Sequence, residues 1–200
     1  KKLISNNLKK KITYQDIGFN IGPLINSSGR IAKANDVVEL FLTQNDDKID
    51  KILNKMNTHN LTRKKIEQEN LDLIDFKKYY SKNVIFIYNK KFHEGVIGIL
   101  AAKLSKIFNK PCFIMTESHD LLKCSIRSAN NVKINKTINK LIANKLVISG
   151  GGHDEAGGFS AKKECLSGIE EFLNNEYRTL KLRSYSYFDS LDRKSTRLNS

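Results

Sequence analysis

The stretch "ISGGGHDEAGGFS", residues 148–160, places five glycines around a single histidine, His153, with Asp154 and Glu155 beside it. In a chain dominated by Lys and Asn, that concentration of glycine needs a reason. Glycine accepts backbone conformations closed to other residues and lets a second group come close. Successive free N–H groups in such a segment form a concavity that attracts anions, and a histidine held there can hydrogen-bond a phosphate oxygen or a leaving group. No Gly-Lys-Ser/Thr follows, so the segment is not a P-loop, and its glycine spacing is wrong for a dinucleotide fingerprint. From these residues alone, a tight turn carrying an incidental histidine and a phosphate site remain equal readings.

The segments on either side set the fold. "VIFIY" (84–88) and "PCFIMT" (111–116) are short apolar runs that read as buried strands, the second with Pro111 at its edge. Between them, "HEGVIGILAAKLSKIF" (93–108) carries Val96, Ile97, Leu100, Leu104, Ile107 and Phe108 on one helical face. "LLKCSIRS" (121–128) alternates, with Ser125 and Arg127 on one side and Cys124 and Ile126 on the other. "INKTINKLIA" reads as a helix, "GGFSA" as a strand after the glycine loop, and "KKECLSGIEEFLNNEYRTL" as a closing amphipathic helix. Strands alternating with helices predict an α/β domain of about 100 residues.

Upstream, residues 46–80 contain no Gly or Pro and carry a weak apolar stripe. We read them as one long polar helix connecting two domains, with "NTHN" (57–60) as a candidate break and Asp46, Asp47 and Asp50 as N-terminal helix charge. "NDVVELFLT" reads as a short helix. "YQDIGFNIGPLINSSGRIA" (14–32), punctuated by Gly18, Gly22, Pro23 and Gly29, reads as loop, which sets Arg30 just after a Gly-containing loop where a guanidinium can meet a phosphate.

The 200 residues suffice for one full domain and part of another. A hydrophobic content of 40% with two prolines marks a globular chain. The most apolar run, "VIGILAAKL", is too short to span a bilayer. "KKLISNNLKKK" is basic without a following apolar core, so it is not read as a signal peptide. The absence of an initiator Met sets the expectation that the chain is a piece of a longer protein. "RKSTRLNS" (193–200) fits no preceding pattern and reads as a non-native scar. Cys112, Cys124 and Cys165 lack metal or disulfide spacing and read as buried thiols in a reducing, cytoplasmic setting. The net charge of +14 suits a polyanionic partner such as nucleic acid. Lys and Asn enrichment from AT-rich codons would give the same number. His93 at a helix start reads either as an anion contact or as a cap, and His59 and His119 read as surface residues.

Taken together and in this order, "IGPLINSSGRI", "HEGVIGILAAKL", "SIR" and "GGGHDEAGGFS" resemble the C-terminal half of the DHH/DHHA1 phosphoesterases, in particular the branch that degrades single-stranded DNA. The resemblance covers roughly 17–180. It implies that residues 1–45 are the tail of a DHH catalytic domain, that 46–80 connect it to a DHHA1 domain at 81–180 with a mixed sheet flanked by helices, and that 181–192 ("LRSYSYFDSLD" and its neighbour) begin a further domain. It implies a nucleic-acid groove between the two domains and hydrolysis of phosphodiesters with Mn²⁺ or Mg²⁺ held outside this chain, from the 5′ end of single strands, in DNA repair and recombination. By the same resemblance Arg30, Ser125 and Arg127 would contact backbone phosphates. His153 would reach the scissile phosphate, and Gly151 and Gly152 would let the backbone approach. A monomer, with a single-strand-binding protein or a helicase as partner, is the matching expectation, and the fragment alone would bind weakly and cleave nothing. Two alternatives stay open: a nanoRNA or cyclic-dinucleotide phosphodiesterase of the same family, and a non-catalytic nucleic-acid-binding module.

Overall fold

The computed structural model describes residues 13–32 and 35–180; the expectations for 181–192 and 193–200 fall outside them. The chain divides into two compact units, 1–69 and 70–200.

The first unit is helical among its described residues. A helical turn, Tyr14–Asp16, opens on a capping box in which Thr13 and Asp16 satisfy each other's backbone N–H groups. A π-helical turn, Ile17–Ile21, leads into α1, Gly22–Ile31. The stretch that reads as loop from its glycines is therefore helix. Pro23 falls in the first turn of α1, directly after the π-helical turn, and neither it nor the glycines end the helical run. Helix α2 (Asn35–Leu42) and α3 (Asp46–Asp72) follow. The Asn45 side chain accepts the N–H of Lys48 at 2.9 Å to start α3, and Asp46 and Asp47 complement its dipole. The helix passes through Asn57–Asn60 unbroken. There the Arg63 guanidinium donates to Asn60 and pairs with Glu67 at 2.9 Å. It stops at Asp72 rather than near 80, because Asp75 caps a separate 3₁₀ turn, Phe76–Tyr79, by accepting the N–H of Lys77. Leu40, Ile52, Leu53 and Met56 form the core of this unit.

The second unit is an α/β domain. Its five-stranded mixed sheet has the order β1-β2-β3-β5-β4, with β1 Ile85–Tyr88, β2 Cys112–Ser118, β3 Leu121–Arg127, β4 Ser149–Gly152 and β5 Ala156–Ala161. Only β1 and β2 run parallel, joined through α4 (Ile97–Phe108). The other pairs are antiparallel. One face of the sheet holds the main core: Phe113, Met115, Leu122, Cys124, Ile126, Phe159 and Ala161 meet α5 (Ile134–Ala143) and α6 (Leu166–Glu176) through Ile134, Ile138, Leu141, Ile169 and Leu173. Tyr177 closes this layer with its hydroxyl 2.6 Å from Thr137 Oγ1, and burial pushes its pKa up to about 12.

The opposite face is covered over half its width. Helix α4 packs on β2 and β3, and Thr116 Oγ1 donates to the Phe92 carbonyl at 2.7 Å, pinning the segment before α4 over β2. Beyond β3, toward β5 and β4, no helix of this unit covers the face among its described residues.

At the far end of the core face, Glu117 accepts hydrogen bonds from Lys163 and Tyr88, and these hold its carboxyl below its ordinary value of 4.5. A depressed carboxylate contributes stability above its unfolded pKa and loses it as pH falls through the folded one. The acid limb of a melting-temperature profile below about pH 4.5 should therefore be shallower in Glu117→Gln than in the parent chain, as differential scanning calorimetry would show.

Candidate nucleic-acid interface

The glycine stretch is strand, not loop. Residues 149–152 form β4 at the sheet edge, and 153–155 turn into β5. No described glycine has a positive φ, so conformational licence is not the reason for the glycines, and an anion-binding concavity of left-handed residues is not formed. Close approach is the reason. A Cβ on Gly157 would lie 2.6 Å from Ile138 Cδ1, and one on Gly150 2.9 Å from Ile138 Cγ2, so both let α5 press on the sheet. A Cβ on Gly158 would meet the Cys124 carbonyl at 2.8 Å, and one on Gly152 would lie 2.4 Å from the Ala156 oxygen. Gly151 differs: nothing lies within 4 Å of where its Cβ would stand.

The register converts these strands into a grid. In β3, Leu122, Cys124 and Ile126 are buried in the core, so Lys123, Ser125 and Arg127 take the other, open face. Opposite them on β5 stand Ser160, Gly158 and Ala156, and on β4, Ser149 and Gly151 pair with Ser160 and Gly158. The N–H of His153 donates to the Ala156 carbonyl at 2.8 Å, which sets His153 opposite Ala156 and completes the row that ends in Arg127. Three rows result: His153, Ala156, Arg127; then Gly151, Gly158, Ser125; then Ser149, Ser160, Lys123. Rows are separated by two residues, about 6.7 Å, and strands by about 4.8 Å. The middle row bears no side chain larger than serine, so the grid is a shallow trough between polar ends.

The first turn of α4 walls the trough. A Cβ on Gly98 would come within 3.1 Å of Ser125 Oγ. His93 lies before this helix, with Nδ1 accepting the Gly95 N–H at 3.1 Å, so it closes the turn into α4 rather than heading it. At the Arg127 end a cavity of about 710 Å³ opens between α4 and the 128–133 segment, lined among others by Lys106, Arg127, Lys133 and Asp154. The Arg127 guanidinium donates to the Ile126 carbonyl at 2.9 Å, and Lys133 pairs with Asp154 at 3.3 Å.

The structure thus brings Ser125, Arg127, Gly151 and His153 to one face of the second unit, while Gly152, next to them on β4, pairs with Gly157 and has its side-chain position on the α5 face. Arg30 belongs to the first unit, in the last turn of α1 rather than after a loop. There Ser27 and Ser28 are fully buried: Ser27 Oγ donates to the Leu24 carbonyl at 2.6 Å, and Ser28 Oγ lies 3.4 Å from His59 Nδ1 on α3. His59 is a packing partner of the "NSSGR" segment and not a plain surface residue. His119 occupies the β2–β3 turn with φ 55°. Cys112 and Cys124 are buried free thiols with raised pKa values caused by desolvation, and Cys165 is half-buried. No group of three or more His, Cys, Asp or Glu residues able to hold a metal ion occurs among the described residues, and no described helix is long and apolar enough to cross a membrane.

A mixed sheet with helices on both faces, a glycine hairpin ending in Gly-Gly-His and a Ser-x-Arg strand beside it define a known class. Residues 81–179 match the family model of the DHHA1 domain, and this domain of the chain belongs to that family. Within it, the chain is 29% identical over 172 residues to the single-stranded-DNA-specific exonuclease RecJ of Escherichia coli, covering 80% of this chain and 30% of that protein. Among solved structures it is similar to RecJ from Thermus thermophilus in complex with Mn²⁺, with a TM-score of 0.81 at 20% identity, over 90% of this chain and 27% of that one. The Mg²⁺ complex of that RecJ gives 0.75 at 21% identity, over 88% and 28%. The chain therefore spans about 30% of the length of the curated relative, and the structural likeness establishes the shared fold.

Proposed function

We propose that this chain is the strand-binding part of a metal-dependent exonuclease that hydrolyses phosphodiesters of single-stranded DNA from the 5′ end, in DNA repair and recombination in the cytoplasm. The observation that carries the reading is the row His153–Ala156–Arg127 with Ser125 beside it on the uncovered face. It supplies an imidazole, a guanidinium and a hydroxyl to one patch small enough for neighbouring phosphates. Arg127 would grip non-bridging oxygens with its planar fork, and Ser125 would donate to the adjacent phosphate. His153 would hydrogen-bond the phosphate undergoing cleavage, stabilising charge that grows in the transition state. Gly151 would keep the floor low beneath the sugar–phosphate chain, Gly152, whose side-chain position faces the α5 side with Gly157, would serve that approach only through its backbone, and Arg30, on the other unit, would contact a further phosphate. In this reading the Mn²⁺ or Mg²⁺ is held outside this chain, and the chain alone binds weakly without cleaving.

In the whole protein, Arg127→Ala should weaken single-strand binding and lower the slope of log affinity against log salt by about 0.7, the value for one phosphate contact on a single strand. A slope equal to that of the parent removes Arg127 from the interface. Comparing hydrolysis of long single strands with hydrolysis of dinucleotides tests the substrate class: a preference for dinucleotides would move the protein to the small-substrate branch of the family.

A further inference from the structure

The third row of the grid has no role in the reading above. Lys123 is exposed on β3, two residues before Ser125, and its Nζ donates to Ser160 Oγ at 3.0 Å across the strands. Ser160 in turn pairs with Ser149 on β4. A hollow of about 450 Å³ lies over this row, lined by Lys123, Cys124, Ser149, Gly158, Phe159 and Ser160. We propose that Lys123, with the hydroxyls of Ser160 and Ser149, forms a further phosphate subsite, so that the open face holds successive phosphates of a strand running alongside β3.

The argument is geometric. Arg127, Ser125 and Lys123 follow one another at about 6.7 Å along β3, a step comparable with the phosphate-to-phosphate distance of an extended single strand. The middle row is bare at Gly158 and Gly151, which leaves room for sugar and base between the flanking polar rows. A course across the sheet instead would meet the α4 wall on one side and the sheet edge on the other. The Lys123–Ser160 hydrogen bond uses one of three ammonium protons and holds the solvent-exposed cation beside the hollow, leaving the other two to meet phosphate oxygens.

This inference rests on the proposed single-strand reading and is tested apart from it. The isotope-labelled 200-residue chain is titrated with an oligothymidylate long enough to cross all three rows, and separately with the dinucleotide pdTpdT, following backbone amide shifts to millimolar concentration at several salt concentrations. Folding of each variant is read from the same spectra. Lys123→Gln should weaken oligothymidylate binding several-fold and lower the salt slope by about 0.7, Lys123→Arg should retain both, and pdTpdT affinity should be unaffected by either. An unchanged slope in Lys123→Gln alongside a reduced one in Arg127→Ala overturns the subsite and leaves the proposed function standing. Equal weakening of pdTpdT by Lys123→Gln also overturns it, because the lysine would then act as general attraction. If the oligothymidylate moves no amide of β3 or β5, the subsite and the single-strand reading fall together.

Discussion

In the whole protein, His153→Ala should lower kcat on single-stranded DNA by about 10²–10³-fold, the range for losing one donor aimed at developing charge, while affinity for the strand stays within about threefold. The split follows from the placement of the residue. His153 is exposed on a hairpin turn, and the N–H to Ala156 bond fixes its backbone, so truncating the ring removes no packing and leaves the trough intact. In the proposed reading, ground-state binding is shared among Arg127, Ser125 and the remaining cations. A group whose hydrogen bond strengthens only as charge accumulates contributes to kcat and little to binding. Single-turnover kinetics with saturating enzyme separate the two quantities. Wild-type turnover in His153→Ala would end its catalytic assignment, and a loss confined to affinity would make it a binding residue like Arg127. His153→Gln, which keeps a donor of similar reach, should recover part of the lost rate if hydrogen bonding is what matters.

Much of this site is legible in the sequence because strand periodicity is a strong signal. "LLKCSIRS" alternates so regularly that Ser125 and Arg127 fall on one face and Cys124 and Ile126 on the other, as the burial of Cys124 and Ile126 bears out. The same alternation, continued by one step, puts Lys123 in phase with Ser125 and Arg127. Ser160 and Ser149 lie beyond the reach of periodicity, since only the β3–β5–β4 register brings them beside Lys123. The α/β order of the second unit follows from apolar runs that each have one reading. Residues 14–32 mislead because glycine and proline are breakers on average and not by position: Pro23 falls directly after the π-helical turn, and the helical run continues past it. The packing of Ser28 against His59 across 31 positions of sequence is a tertiary fact with no local signature. The glycines of 150–158 suggest backbone freedom by their density, and the structure instead uses the space left by their missing side chains.

That distinction yields a graded prediction for single alanine substitutions in the hairpin. Gly152→Ala should be the most destabilising, by about 3 kcal/mol, the upper part of the range for overpacking. Its Cβ would lie 2.4 Å from both the Ala156 oxygen and the Gly157 Cα. Those are backbone atoms, so no rotamer change relieves the clash and the turn itself must reopen. Gly157→Ala should cost about 2 kcal/mol, because its contacts are led by the Ile138 side-chain end at 2.6 Å, which can yield, while the Gly151 oxygen at 2.9 Å cannot. Gly151→Ala should leave stability within about 0.5 kcal/mol, since its Cβ would enter open space. For a domain of this size the first change corresponds to a fall in melting temperature of about 10–20 °C, readily measured by circular dichroism. Strand binding should then invert the order of interest. Gly151→Ala, folded as well as the parent, should weaken the single strand because its methyl group rises from the floor of the trough between Ser149 and His153. A Gly152→Ala chain that melts with the parent would show that the hairpin relaxes at no cost. A Gly151→Ala chain with parental binding would show that the strand does not lie over the bare middle row, and with it would go the geometric case for Lys123.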